Sequence, residues 1–96
     1  MRVMIKNPGD EKFREIVIPN DLHTMQELVG GYIETVTIAS DACIICNEEG
    51  RILGMPVNCK YCGIDFVGPM LIAGVNGEKF TDCPWSVAMA NGGIEQ

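Results

Sequence analysis

Residues 32–46 hold two β-prone runs, YIETVTIA and ACIIC, separated only by Ser40-Asp41. β-Branched side chains suit a pleated, half-buried surface better than a helix. A two-residue gap leaves room for a tight turn and little else, so the runs are expected to pair as an antiparallel hairpin. ACIIC lacks polar alternation and reads as an interior strand. The flanking segments, LVGGYIE and NEEGRILGMPVN, are expected to be the framework of the domain.

Upstream, Val3 and Ile5 alternate with Arg2, Met4 and Lys6, which predicts a first strand. Asn7-Pro8-Gly9-Asp10 is a turn signal. FREIVI at 13–18 is a second strand, ended by Pro19, and the two form a hairpin. Asn20 or Asp21 can cap a helix through its side-chain oxygen. Leu22, Met25, Leu28 and Val29 follow at helical spacing, and Gly30-Gly31 stop the helix. About two turns of helix persist only when packed on a sheet.

Downstream, Asn47 to Gly50 is a polar turn, and RILGMPV at 51–57 is irregular or a brief helix. The run FVGPMLIAGV at 66–75 reads as one strand, with an edge or bulge at Gly68-Pro69. Asn76-Gly77 is a turn. Thr81 or Asp82 caps a final helix over 85–90, with Pro84 in its first turn, and Asn91-Gly92-Gly93 end it. The order β-β-α-β-β-β-α predicts an α+β fold: a mainly antiparallel sheet of four to five strands with the helices on one face.

A chain of 96 residues, 47% of them hydrophobic, is expected to fold as a single domain, residues 1–96, with a limited core. Small domains gain stability by self-association, so a homo-oligomer is expected. The net charge of −6 and the scattered Lys and Arg argue against nucleic acid as a partner. No stretch has the length of a membrane span, and the N-terminal residues lack an apolar leader. A cytoplasmic protein is the expectation. Its five cysteines are then thiols or metal ligands rather than disulfides.

Cys43-x2-Cys46 and Cys59-x2-Cys62 have the spacing of a four-thiolate zinc site, and Cys59 to Gly63 resembles a zinc knuckle. The first pair lies in an apolar strand, where residues three apart face opposite ways. Two small buried hydrophobes is the plainer reading of Cys43 and Cys46. Cys59 and Cys62 remain candidate zinc ligands, with Cys43 and Cys46, or with Cys83 and His23. No other cofactor is implied. His23 falls off the apolar helix stripe and reads as solvated. Neither it nor any serine sits in a nucleophile setting, so catalysis is not expected. No phosphate-cradling glycine motif is present. Asn47, Arg51 and Asn58 bracket the irregular segment, and an Arg beside amides suits a phosphate or carboxylate. These three are the candidate ligand-binding residues.

Two blocks carry a family resemblance. Leu22 to Glu34 (LHTMQELVGGYIE) resembles the LQ-x-LVGG-x-IE core of a small family of unknown function found in bacteriophages, conjugative elements and gut Firmicutes. NEEGRILGMPVN at 47–58 resembles that family's NEEG-x-x-x-G-x-P-x-N block, and Leu71 to Gly74 its I-x-G strand. The resemblance implies an origin on a mobile element rather than a reaction. It suggests a non-catalytic accessory binding protein of the host cytoplasm. One expectation is a counter-defence protein that sequesters a nucleotide-like immune signal between subunits, with Asn47, Arg51 and Asn58 in contact. The alternatives are an inhibitor that binds a host defence or restriction protein through an acidic surface at Glu48 and Glu49, and a small zinc-stabilised module.

Overall fold

The structure is a computed structural model that describes residues 1–95. Its main sheet is ordered β2 (Arg14–Val17), β1 (Arg2–Lys6), β7 (Met70–Asn76), β4 (Ala42–Asn47) and β3 (Ile33–Ala39). A short strand, β8 (Lys79–Thr81), also pairs with β7. Every pairing is antiparallel. The expected 32–46 hairpin is present, with Ser40-Asp41 between β3 and β4. All six residues of β4 are buried, as a run without polar alternation requires at an interior position.

The α1 helix (Leu22–Val29) covers one face of this sheet. Asp21 accepts a hydrogen bond from Thr24 N at 2.7 Å, and Gly30, at φ 81°, ends the helix in the left-handed region. Met25 and Val29 pack with Val3, Ile5, Cys43, Ile45, Leu71 and Ala73. Burial of each large aliphatic stabilises the fold by about 1.5–3 kcal/mol.

The other face carries a second sheet, ordered β6 (Ile64–Val67), β5 (Val57–Tyr61) and β9 (Ile94–Glu95), together with α2 (Val87–Gly92). Tyr61 and Phe66 from this sheet and Ala90 from α2 pack with Met4, Ile44, Cys46, Met70 and Ile72. The Tyr61 hydroxyl donates to Ala90 O at 2.6 Å, and its ring meets Phe13 edge-on at 5.5 Å between centroids.

The α+β class and the antiparallel pairing match the sequence expectation, but several features differ. The helices lie on opposite faces of the main sheet rather than on one. There are more strands than four or five. The run 66–75 is two strands in different sheets, because Gly68 takes φ 72° and the Met55 side chain fills the space where a Cβ would stand. Residues 51–54 form a turn, in keeping with an irregular segment, but a strand not expected from the sequence, β5, begins at Val57. Cys59 to Gly63 therefore lies in a β-hairpin, with Cys59 on β5 and Cys62 in the turn. Its two turn residues, Cys62 and Gly63, have φ of 48° and 82°, the signature of a primed hairpin turn.

The last helix starts at Val87, capped by Ser86, not by Thr81 or Asp82. Arg2 accounts for the shift. Its guanidinium donates to the carbonyls of Cys83 and Trp85, and its backbone N–H donates to Asp82, which keeps 82–85 out of helical geometry.

Candidate functional site: an acidic groove beside a free sheet edge

Of the three polar residues singled out in the sequence, two are occupied by the fold. Asn47 is 6% exposed, and its amide donates to Val29 O at 3.1 Å while its Oδ1 accepts from Glu49 N at 2.7 Å. It thereby fastens the end of α1 to the turn that follows β4. Gly31 has no room for a Cβ, which would stand 2.9 Å from the Asn47 amide nitrogen. Asn58 donates to Lys6 O and to Gly68 O, each at 2.8 Å, and accepts from Lys6 Nζ at 2.8 Å. It joins β1 to the break between β6 and β7. Arg51 is exposed, with one guanidinium N–H donating to Asp65 O at 2.6 Å.

Asn47 and Arg51 share a groove of about 360 Å³; Asn58 does not line it. The groove lies between Glu34 and Val36 of β3, the turn from Asn47 to Ile52, and β6. Backbone hydrogen bonds from Leu53 N to Glu49 O and from Met55 N to Gly50 O, both 2.9 Å, hold the turn compact. The floor is apolar, formed by Val36, Cys46 and Phe66. Ile52, 82% exposed, adds an aliphatic side chain at the mouth. Around that floor stand four carboxylates (Glu34, Glu48, Glu49 and Asp65) against one cation, Arg51. Glu48 and Glu49 are adjacent in the sequence, but no local signal marks Glu34 or Asp65 as their companions. The hairpin register places Glu34 opposite Cys46, and only the second sheet brings Asp65 across.

Four of the five thiols are poorly set for nucleophilic attack. Burial, with Glu34 beside it, pushes the Cys46 thiol up to about 11, and burial alone pushes Cys43 to about 11. Burial raises Cys59 and Cys83 as well, although Lys6 opposes the effect at Cys59 and a backbone hydrogen bond opposes it at Cys83. Thiols held above their ordinary value stay protonated near neutral pH. His23 sits exposed on α1 beside Glu27, in the layer on the far side of the main sheet.

The cysteines do not gather. Cys43 faces α1 and Cys46 faces the second sheet, as strand geometry anticipates. Cys59 packs against Met70, and Cys62 is exposed at the hairpin tip. Among the described residues no three His, Cys, Asp or Glu side chains converge as a metal site requires.

A second concavity, about 220 Å³, opens on the α1 side of the main sheet. Thr35, Thr37, Cys43, Val75 and Phe80 line it, with Glu78 and Lys79 of opposite sign. The β3 strand thus has a groove on each face. On its outer side no strand pairs with it among the described residues. Among the described residues, no helix is long and apolar enough to cross a membrane.

A family model described as a domain of unknown function (DUF3846) matches residues 1–89. The chain belongs to that family. The match runs through every element that lines the groove and the first half of α2. No curated protein and no solved structure matches the chain.

Proposed function

We propose that this DUF3846 protein is a non-catalytic binding domain that holds a basic segment of a protein partner in the groove. The observation that carries the reading is the charge balance there: four carboxylates and one guanidinium around an apolar floor. Arg and Lys side chains suit such a surface, because their aliphatic stems cover apolar area while the charged heads meet carboxylates. Complementary charge also speeds encounter with the right partner.

The same balance weighs against a phosphate-bearing signal. An anionic nucleotide beside Arg51 would also lie among four like charges, and the amides of Asn47 and Asn58 are already engaged within the fold. The four thiols raised by burial and the remote histidine support a role without chemistry. Taken with the family resemblance, the reading is an accessory protein of a mobile element that engages a host protein through its acidic side.

Calorimetric titration of the full chain tests this. An Arg-Val-Arg-Val-Arg-Val-Arg peptide is one ligand and a cyclic dinucleotide the other. Heat from the peptide that falls with added salt, and none from the nucleotide, is expected. Saturable nucleotide binding without peptide binding would overturn the reading.

A further inference from the structure

We infer that the partner segment binds as an added β-strand along β3, with alternate side chains entering the two grooves on either side of the main sheet. This rests on the proposed binding of a basic segment and specifies its geometry.

The edges of the two sheets differ sharply. β2 has four residues with Arg14 and Glu15 among them; β6 has four with Asp65; β8 has three and β9 two. Short length and charge are the usual means of keeping an edge from pairing. β3 has seven residues, of which only Glu34 is charged, and Ile33, Thr35, Val36, Thr37 and Ile38 favour strand pairing. It is the long edge without protection.

The hydrogen-bond phase sets what that edge offers. Glu48 N donates to Tyr32 O at 2.9 Å, so Tyr32 and Glu48 form a hydrogen-bonded pair. Alternation along the ladder makes Glu34 with Cys46 and Val36 with Ile44 bonded pairs too. Ile33, Thr35 and Thr37 then direct N–H and C=O outward. A register shift between Thr37 and Ala39 ends the run.

Side chains on β3 alternate as well. Glu34 and Val36 face the acidic groove; Thr35 and Thr37 face the second concavity. A strand added to β3 continues the pleat, so its residues opposite Glu34 and Val36 enter the acidic groove. Those opposite Thr35 and Thr37 meet the concavity of Cys43, Val75 and Phe80. The ligand is an extended segment with basic residues at every second position and small or apolar residues between. Main-chain bonds supply affinity and the paired grooves supply specificity. A second copy of this chain is a poorer occupant, since it would bring Glu34 and the neighbouring carboxylates against their own likeness.

Thr35→Pro isolates the mode of binding. The Thr35 N–H points away from β4, so proline deletes only the outward donor, and edge strands accept proline at such positions. The probe is the Arg-Val-Arg-Val-Arg-Val-Arg peptide, titrated to millimolar into labelled full-length protein and followed by NMR. Protection of the Ile33, Thr35 and Thr37 amides from exchange, and at least a tenfold loss of affinity in Thr35→Pro but not Thr35→Ala, is expected. An isomer with its arginines grouped together should bind more weakly. Peptide binding weakened by Glu48→Lys yet indifferent to Thr35→Pro would overturn strand addition and leave the acidic-groove reading standing. No binding of either peptide would overturn both. Growth of a dimer at the same edge without peptide would identify a second copy as the occupant and overturn the inference.

Discussion

Lys6 and Asn58 exchange two hydrogen bonds, one from Lys6 Nζ to Asn58 Oδ1 and one from Asn58 Nδ2 to Lys6 O, each at 2.8 Å. Lys6 is only 3% exposed. A buried ammonium demands a partner, and here an amide supplies it. Asn58→Ala is expected to destabilise the fold by about 3 kcal/mol, because it strands a buried charge and two carbonyls. Urea denaturation measures this. In the Asn58→Leu background, Lys6→Met should recover part of the loss, since the charge that needed the amide is gone.

Asn47 is expected to behave as a fastener. Asn47→Ala removes the bond to Val29 O and the one from Glu49 N. The expected cost is about 2 kcal/mol. Gly31→Ala should also destabilise, by pushing the same amide aside. Peptide binding by the folded fraction of Asn47→Ala, compared by titration below its melting range, should persist.

Alkaline stability follows from the buried thiols. In the unfolded chain Cys43 and Cys46 ionise near 9.0; in the folded protein burial lifts both to about 11. The fold therefore gains from keeping them neutral below the unfolded value and loses that gain as pH rises from 9 toward 11. Tyr61, also raised by burial, acts in the same direction. Denaturant midpoints measured from pH 7 to 11 should be flat at first and then fall. Replacing Cys43 with Ala lowers overall stability but should make that fall shallower.

Thiol labelling separates the cysteines. Cys62 is exposed at its hairpin turn, Cys59 is half-buried, and Cys43, Cys46 and Cys83 are buried. A disulfide reagent at pH 8 should modify Cys62 rapidly and the three buried thiols only on the timescale of unfolding. Mass spectrometry of the labelled protein checks the order. Fast labelling of Cys46 would show that the groove floor is open.

Much of the fold is legible in the sequence where local chemistry dictates it. Asp21 and Gly30 announce the ends of α1, and Ser40-Asp41 announces the hairpin. The break at Gly68 is legible only in part: Gly68-Pro69 marks an edge or bulge in FVGPMLIAGV, but the positive φ of Gly68 and its contact with Met55, which send the two halves to different sheets, are not marked. The site was partly legible for a related reason. Asn47 and Asn58 stand out as polar residues without a task, but each has a partner far along the chain, 18 and 52 positions away. Distance in sequence hid the fact that folding uses them. The carboxylates that define the groove come from β3, the turn after β4, and β6, and only the stacking of two sheets sets them around one floor.

Charge reversal at the groove should change binding without changing the fold. Glu48 and Glu49 are both exposed. Glu48→Lys with Glu49→Lys is expected to leave the urea midpoint near that of the parent and to weaken the arginine-valine peptide by about tenfold.

The most direct measurement is an NMR map of where that peptide lands on the full chain, at low and high salt. Shifts are expected to concentrate at Glu34, Val36, Glu48, Glu49, Asp65 and Phe66 and to fade as salt screens the carboxylates. Shifts confined to α1 or α2, or the same groove amides responding to a cyclic dinucleotide and not to the peptide, would contradict the proposed binding.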